Sequence, residues 1–374
     1  MIGNCNEKRK LWKVPSLLPL PEKRSILDFI GRTPLVPLRK LNRNPKTSIL
    51  MKLEGFNPGG SLKDRSVLCM VEEAEKKGML NKDSVLIDST SGNLGIALAM
   101  TGAVKGYKVI CIVDPKISAS NLQLLKSFGV QIERVETADS PSGYLRGRIR
   151  RRNELLKELP NAWCPDQYAN LANPLAHYMG TGQEILEDTQ GRVDYLVCAI
   201  STGGTISGCA RALKEKIPSV KVIGVDAVGS AIFGDTPQKR LQTGIGSSLT
   251  LEELPNIDAS LIDQVFLIED EMAFLTARAL AREEGLLVGG SSGTVTFAAL
   301  LISNELTRSA RIVGVLPDRY EHNLNECHCE EWMQEHGFAL EATTEAVWKR
   351  LDLFAKKKQQ WIHSSTGIPI IKKV

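Results

Sequence analysis

The sequence predicts an α/β protein of two three-layer lobes with mostly parallel sheets. From about residue 47 onward, short apolar runs alternate with amphipathic stretches. This is the order of strand, crossover helix and next strand that parallel sheets require. Two such series flank a less regular middle, residues 137–192. We therefore expect a cleft between two lobes, with ligands bound beyond the carboxyl ends of the strands.

The first series alternates four strands with three helices. Its strands are short apolar runs, and its helices are longer amphipathic segments. In chain order these elements are the strand TSILMKLE (47–54), the helix RSVLCMVEEAEKKGML (65–80), the strand SVLIDST (84–90), the helix GNLGIALAMTGAVKGY (92–107), the strand KVICIVD (108–114), the helix SASNLQLLKSFG (118–129) and the strand VQIERVE (130–136).

The second series resumes after the irregular middle. It comprises the strand VDYLVCAI (193–200), the helix TISGCARALKEKI (205–217), the strand KVIGVDAV (221–228), the helices MAFLTARALAREEG (272–285) and TVTFAALLIS (294–303) and the strand RIVGVLPD (311–318). We assign residues 56–168 to a smaller lobe and residues 26–55 with 169–340 to a larger one. Residues 341–374 are expected to form a peripheral tail, an extra helix followed by a loose end.

Composition excludes several classes of protein. The 374 residues are 43% hydrophobic and 24% charged, close to globular averages, so a disordered or fibrous chain is excluded. A net charge of +4 predicts no nucleic-acid or membrane partner. No apolar run approaches the roughly 20 residues that span a bilayer, and the start MIGNCNEKRKLWKVP lacks the apolar stretch of a secretion signal. We expect a soluble, cytoplasmic protein.

The eight cysteines agree with a reducing compartment, because their spacing matches no disulfide framework. A cluster of histidine and cysteine residues needs separate consideration as a metal site. Its spacing matches no standard zinc pattern, so a polar surface segment is the favoured interpretation and no metal is predicted. The cluster consists of His322, Cys327, His328, Cys329 and His336.

Lys63 is the candidate catalytic residue. It follows the turn of GFNPGGSLKDR (55–65) and opens a predicted helix. Helix N–H groups and the positive end of the helix dipole disfavour an ammonium ion there. A neutral amine is what imine formation requires. A surface lysine in a turn is the alternative.

Three further post-strand loops carry small and hydroxyl residues. STSGNLG (89–95) is suited to a carboxylate at a helix N-terminus, although Ser and Thr also serve as ordinary caps. STGGTISG (201–208) is a phosphate cup of low specificity, and it is not a Walker loop. GGSSGT (289–294) offers hydroxyl groups to a heteroaromatic nitrogen, or merely lets two helices approach. Together with the lysine, these loops describe a pyridoxal-phosphate site.

The segments SLKDR, TSGN and GGT resemble the cysteine synthase group of pyridoxal-phosphate enzymes, with the fold-type II, tryptophan-synthase β-like fold. The resemblance covers roughly residues 26–335. It implies pyridoxal 5'-phosphate as cofactor, Lys63 as its Schiff-base lysine and Asn93 beside its ring hydroxyl. It implies a phosphate loop at 201–205, with Ser291 facing the pyridine nitrogen and Gln167 near the substrate carboxylate. The cofactor residues are thus Lys63, Asn93, Ser201, Thr202, Gly203, Gly204, Thr205 and Ser291.

Five further segments narrow the resemblance to the N-(2-amino-2-carboxyethyl)-L-glutamate synthases. They are STSGNLGIALAM (89–100), VDPKIS (113–118), SGYLRGRI (142–149), GSAIFGDTP (229–237) and TGIGSS (243–248). This resemblance implies that O-phospho-L-serine is joined to L-glutamate with release of phosphate. The product is a precursor of 2,3-diaminopropionate for siderophores or antibiotics. Ser201 departs from the glycine usual in cysteine synthases, and it would be strained if that position requires a positive φ.

The substrates' anionic groups require cations, and arginine suits forked contacts to phosphate or carboxylate. Arg148, beside Tyr144, is the first choice and Arg240 the second, whereas Arg150–Arg152 are expected on a solvated helix face. The predicted substrate-binding residues are Ser89, Thr90, Ser91, Gly92, Tyr144, Gln167, Arg148 and Arg240.

Three alternatives stay open. A cysteine synthase using sulfide with O-phosphoserine or O-acetylserine would share every cofactor residue. A non-catalytic binding or regulatory protein on the same scaffold would have no need of Lys63. Nucleic-acid binding through the arginine run would show strong salt dependence. The resemblance also implies a homodimer.

Overall fold

The computed structural model describes residues 25–90, 92–138, 144–233, 236–321, 324–356, 359–363 and 367–373. The strands within these ranges are β1 (Leu35–Pro37), β2 (Thr47–Leu53), β3 (Val85–Ser89), β4 (Lys108–Val113), β5 (Gln131–Arg134), β6 (Ala162–Trp163), β7 (Tyr195–Ala199), β8 (Lys221–Ala227), β9 (Gln264–Ile268), β10 (Ala310–Leu316), β11 (Gln359–His363) and β12 (Pro369–Lys373).

The α-helices of the described residues connect these strands. They are α1 (Lys63–Lys76), α2 (Asn93–Lys105), α3 (Ala119–Ser127), α4 (Leu145–Glu158), α5 (Ala172–Met179), α6 (Thr181–Thr189), α7 (Gly204–Lys216), α8 (Asp270–Ala279), α9 (Gly290–Glu305), α10 (Glu330–Glu335) and α11 (Thr344–Lys356). Local chemistry sets several boundaries. The side chain of Ser118 caps α3, for example, and α2 ends at Gly106 in the left-handed conformation.

Two sheets organise the chain. The smaller sheet has the order β5-β4-β3-β6 and is parallel throughout. The larger has the order β1-β2-β10-β7-β8-β9-β12-β11, with antiparallel pairing between β1 and β2 and between β11 and β12. The prediction of an α/β fold with mostly parallel sheets is confirmed.

Apolar side chains cover both faces of the larger sheet. Neighbouring residues of β10 show this, because Ile312 belongs to the core cluster on one face and Val313 to the cluster on the other. Helix α9 is buried along almost its whole length, from Gly290 to Ser303. On the smaller sheet, α1 buries Val67, Met70, Val71 and Ala74, which recur at helical spacing.

The loops that follow β3, β7 and β10 reach one region of the molecule. Ser89 ends β3 and Thr90 follows it, Ser201 follows β7, and Asp318 follows β10. All line a single cavity between the two sheets. The strand ends therefore position the residues that sequence analysis singled out.

The C-terminal segment differs from the predicted peripheral tail with a loose end. Helix α11 buries Val347, Leu351 and Phe354, whose spacing puts them on one face. The ring centroids of Phe297 and Phe354 lie 5.7 Å apart in an edge-to-face arrangement. Strand β12 pairs with β9, and Ile370 is fully buried. This segment is part of the larger core because it covers an otherwise unpaired edge of the sheet.

The histidine and cysteine cluster also differs from the prediction. Cys327 is fully buried against Phe274 and Met333, so the predicted polar surface segment is wrong at this residue. His328 forms a hydrogen bond between its Nε2 and the Val288 carbonyl at 2.7 Å. His322 lies outside the described residues. Among the residues that are described, no group of three or more potential metal ligands comes together.

No helix in the described ranges combines the length and apolar character needed to cross a bilayer.

Candidate active site

A cavity of about 770 Å³ lies where the strand-end loops converge. The structure brings most of the predicted site residues together on its wall. The residues of the predicted set that line it are Lys63, Ser89, Thr90, Gly92, Asn93, Arg148, Gln167, Ser201, Thr202, Gly203, Gly204, Thr205, Arg240 and Ser291. Ser91 lies outside the described residues, and Tyr144 does not line the cavity.

Lys63 is the first residue of α1, as predicted. Its Nζ donates a hydrogen bond to Oε1 of Gln167 at 3.0 Å. Desolvation lowers the pKa of Lys63 to about 8, against an opposing effect of the Asp88 carboxylate. The dominant cause is burial and not the helix dipole that the sequence suggests. Burial therefore makes the neutral form of this amine easier to reach than it is for an exposed lysine.

Two asparagine side chains hold the peptide carbonyl of Gln167. Its carbonyl accepts hydrogen bonds from Nδ2 of Asn173 at 2.8 Å and of Asn256 at 2.9 Å. The preceding Asp166 has φ 47°, a left-handed conformation that Asp tolerates better than most residues. These contacts fix the backbone of Gln167, from which its side-chain amide reaches Nζ of Lys63.

The loop after β3 divides its hydroxyl groups between two tasks. Oγ1 of Thr90 accepts a hydrogen bond from the backbone N–H of Gly95 at 3.1 Å, so Thr90 satisfies an N–H group in the first turn of α2, although Gly92 is the N-cap. Oγ of Ser89 is buried and has no hydrogen-bond partner among the described residues. Ser89 and Gly92, where a Cβ atom would meet no other atom within 4 Å, are thus the part of this loop suited to an anionic ligand.

Asn93 joins the smaller sheet to the end of β10. Its Nδ2 donates to Oδ2 of Asp318 at 2.8 Å. Its Oδ1 is buried without a hydrogen-bond partner in the described chain. An unpaired buried carbonyl oxygen is costly. This atom is therefore suited to accept a hydrogen bond from a ligand hydroxyl group.

The loop at 201–205 wraps closely round the start of α7. Gly203 has φ 86°, and a Cβ atom there would lie 2.7 Å from the backbone nitrogen of Ile257. Only glycine fits this position. Gly204 opens α7 on the cavity wall, and the first N–H groups of a helix, which have no partner within the helix, favour an anion. Thr205 approaches Nε2 of His177 at 3.3 Å, and burial holds the pKa of His177 well below its usual value.

Ser201 is not strained, contrary to the concern raised by the sequence. The only non-glycine residues with positive φ in the described chain are Arg32, Asp166 and Gln190. The left-handed position of this loop falls two residues later, at Gly203. Oγ of Ser201 donates to the carbonyl of Gly246 at 3.2 Å, which ties the loop to the neighbouring TGIGSS segment.

Ser291 lies in the first turn of α9 and is 1% exposed. Ser291 lines the cavity. Its Oγ lies 4.0 Å from the position that a Cβ atom on Gly244 would occupy. A neutral hydroxyl in this position is suited to a hydrogen bond with an uncharged ring nitrogen.

Two predicted arginines reach the cavity and are partly balanced by buried carboxylates. Nε of Arg148 lies 3.3 Å from Oδ2 of Asp114. Burial lowers the pKa of Arg240, and the negative charge of Asp226 opposes this shift. Burial also raises the pKa of Asp226 to about 7.

The other members of the arginine run contribute no lining. Arg151 pairs with Glu133, Glu154 and Glu158. Tyr144 instead contacts a lining residue. The centroid of its ring lies 5.6 Å from Nζ of Lys116, which lines the cavity. The prediction of Tyr144 as a direct substrate contact therefore disagrees with its placement.

Several lining residues were missed from the sequence. The rule that post-strand loops bind ligands would have found Lys116, in VDPKIS, and Asp318, at the end of RIVGVLPD. Tyr168 follows Gln167, and burial raises the pKa of its phenol to about 12. The charged or phenolic lining residues that were not predicted include Lys116, Tyr168, Lys239, Asp318 and Glu326.

Comparison with known proteins decides the family. Residues 26–318 match the family described as pyridoxal-phosphate dependent enzymes. The chain belongs to this family.

Solved structures of similar chains agree. A hydrogen sulfide-producing enzyme from Fusobacterium nucleatum is 37% identical with a TM-score of 0.76, over 81% of this chain and 100% of that one. A cysteine synthase from Entamoeba histolytica is 33% identical with a TM-score of 0.79, over 89% and 97%. An O-acetylserine dependent cystathionine β-synthase from Helicobacter pylori is 33% identical with a TM-score of 0.75, over 82% and 99%. The protein is thus a pyridoxal-phosphate enzyme of cysteine synthase type.

The cavity residues fit this cofactor. The unpaired Oδ1 of Asn93 is available to a ring hydroxyl, and Lys63 presents a largely desolvated amine. At the 201–205 loop, a Cβ on Gly204 would lie 2.8 Å from Nδ2 of Asn173, so the cup has no room for a larger residue. Ser291 places a neutral hydroxyl on the same wall, which suits a hydrogen bond with an uncharged ring nitrogen.

Proposed function

We propose that the protein catalyses β-replacement between O-phospho-L-serine and L-glutamate. The products are N-(2-amino-2-carboxyethyl)-L-glutamate and phosphate, and the product supplies 2,3-diaminopropionate for siderophore or antibiotic biosynthesis. The observation that carries this proposal is the number of cations on the cavity wall. Besides Lys63, the wall includes Lys116, Arg148, Lys239 and Arg240.

The charge of the two substrates explains this set of cations. O-phosphoserine carries a phosphate and a carboxylate, and glutamate carries two carboxylates. Sulfide and acetyl esters carry far less negative charge. Arginine pairs well with phosphate and carboxylate oxygens, and such contacts are stronger when partly desolvated. A cavity rich in cations therefore favours the pair of anionic amino acids.

In this proposal the chain's own residues divide the work. The loop at 201–205 would hold the cofactor phosphate, Asn93 would accept a hydrogen bond from its ring hydroxyl, and Ser291 would be the partner of its pyridine nitrogen. When bound, the cofactor stabilises negative charge at Cα of an attached amino acid. Lys63 removes the Cα proton as general base and later returns it. Phosphate leaves from Cβ, and the amine of glutamate forms the new bond to this atom.

Substrate binding is assigned to the loop after β3 and to the cations. Ser89 and Gly92, with Ser91 between them, hold the α-carboxylate of phosphoserine, and Gln167 contacts it from beside Lys63. Arg148 binds the phosphate group, and Arg240 binds the nucleophile. We further propose a cytoplasmic homodimer. Each subunit would have a smaller lobe, residues 56–168, and a larger lobe, residues 26–55 with 169–340, whose sheet is extended by β12 and β11.

A cysteine synthase using sulfide is the second candidate. The similar solved structures favour it, since they include a cysteine synthase and a hydrogen sulfide-producing enzyme. The test supplies O-phosphoserine with equimolar glutamate and sulfide and identifies the amino-acid products by mass spectrometry. Our proposal expects the glutamate adduct as the main product. Cysteine alone would contradict it.

A further inference from the structure

Two carboxyl groups on the cavity wall have no place in the mechanism above. Asp318 is 6% exposed, and its Oδ1 is buried without a hydrogen-bond partner among the described residues. Glu326 lines the same cavity, and its Oε2 is likewise buried and unpartnered there. Buried carboxylate oxygens normally find donors, so these atoms are suited to a ligand that brings N–H groups.

The position of Asp318 is tightly fixed against the loop that carries Lys63. Residues Ser61 and Asp318 form an antiparallel backbone bridge. Beside it, the N–H of Leu62 donates to the carbonyl of Pro317 at 2.9 Å, and the N–H of Arg319 donates to that of Gly60 at 3.1 Å. On its other side, the Asp318 carboxylate accepts from Asn93. The carboxylate therefore stands between the end of β10, the start of α1 and the start of α2.

The proposed reaction requires a base that Lys63 does not supply. An α-amino group is largely protonated at neutral pH, and an ammonium ion has no electron pair with which to attack carbon. Lys63 is engaged with the Cα proton. Sulfide differs, because a large part of it is already deprotonated in neutral solution.

We propose that Asp318 is the general base that takes a proton from the amine of the incoming amino acid, with Glu326 as a second carboxylate facing the ammonium group. This inference rests on the proposed function. The N–H bond breaks toward Oδ1 of Asp318, and the electron pair stays on nitrogen. This pair forms the new N–C bond at Cβ, from which the phosphate oxygen has left with its own bonding pair. The proton on Asp318 then passes to solvent.

The electrostatics of the pair suit this role. Burial raises the pKa of Asp318 to about 7, against the hydrogen bond from Asn93, and Glu321 raises it further. Burial and the neighbouring Asp318 raise the pKa of Glu326 to about 7. A base that titrates near the working pH transfers protons most effectively. Asp318 is the better placed of the two, because it is more buried and its backbone is fixed.

The variant Asp318→Asn tests the inference on the cofactor-loaded protein. An amide keeps the oxygen that accepts from Asn93 and removes the ability to take a proton. The visible absorbance of bound cofactor checks that the variant is loaded. Four rates are measured for O-phosphoserine: coupling to glutamate, coupling to sulfide, and phosphate release in each of these two reactions. Glu335→Gln, an exposed carboxyl on α10, is the matched control.

We expect coupling to glutamate to fall at least about 100-fold in Asp318→Asn. Coupling to sulfide should stay within about threefold of the wild type, as should both rates in Glu335→Gln. Equal losses with glutamate and sulfide would overturn the inference, since Asp318 would then support the site as a whole. Undiminished coupling to glutamate would overturn it as well. A wild-type protein that couples sulfide and no glutamate would instead overturn the proposed function, and the inference with it.

Discussion

Gly204 offers a sharp test of how the cavity holds the cofactor phosphate. In Gly204→Ala, the new methyl group would overlap the carboxamide of Asn173, with Nδ2 at only 2.8 Å. Asn173 is 1% exposed, and its Nδ2 donates to the Gln167 carbonyl at 2.8 Å and to Oγ1 of Thr202 at 3.2 Å. The amide cannot move aside without breaking both bonds.

The magnitude follows from these contacts. Two lost hydrogen bonds cost about 1 kcal/mol each, and an overpacked methyl adds about 1–3 kcal/mol, giving about 3–5 kcal/mol in total. Part of this strain is relieved when the loop opens, and the opened loop no longer binds phosphate. The expected loss of cofactor affinity is about 100-fold or more.

The assay titrates the cofactor-free protein with pyridoxal phosphate and follows its visible absorbance. Arg211→Ala, on the exposed face of the same helix, is the control and should bind normally. A Gly204→Ala variant that binds cofactor within threefold of the wild type would refute this view of the loop.

Three further predictions concern charge. Because the pKa of Lys63 is lowered to about 8, covalent attachment of cofactor should accelerate as pH rises through about 8; stopped-flow absorbance showing a midpoint near 10 would contradict this. Arg148→Ala should raise the KM for phosphoserine about 10- to 100-fold, and unchanged KM values for both amino acids would refute its assignment. Arg65→Met removes the guanidinium whose Nε lies 2.6 Å from Oε2 of the fully buried Glu54. It leaves that carboxylate without its charged partner and should destabilise the fold by about 3–5 kcal/mol. Urea unfolding measures this loss, with Lys76→Met expected to leave the midpoint unchanged.

Much of the architecture could be predicted because parallel sheets impose local patterns. Each strand and its following helix are visible within about twenty residues of sequence, so the loops at their ends can be found. Lys63, Asn93 and the 201–205 loop are of this kind.

The features that sequence analysis missed depend on distant contacts. Strand β12 belongs to the sheet because it meets β9, about a hundred residues earlier, and no local pattern reports that neighbour. The burial of Cys327 likewise depends on packing against α8. Ser201 escapes strain because the left-handed residue is Gly203, and spacing alone does not say which residue of a loop adopts that conformation.

Asp318 shows a different kind of omission. It stands at the end of a strand that was predicted from the sequence, where ligands are expected. Its importance depends on burial and on the unpaired oxygen, which only the packed structure reveals.

The central claim is that Lys63 carries the cofactor. Reduction of the purified, cofactor-loaded protein with borohydride, followed by proteolysis and mass spectrometry, tests it directly. We predict a pyridoxyl group fixed to the peptide that contains Lys63. A modification found only on another lysine, or on none, would contradict the account.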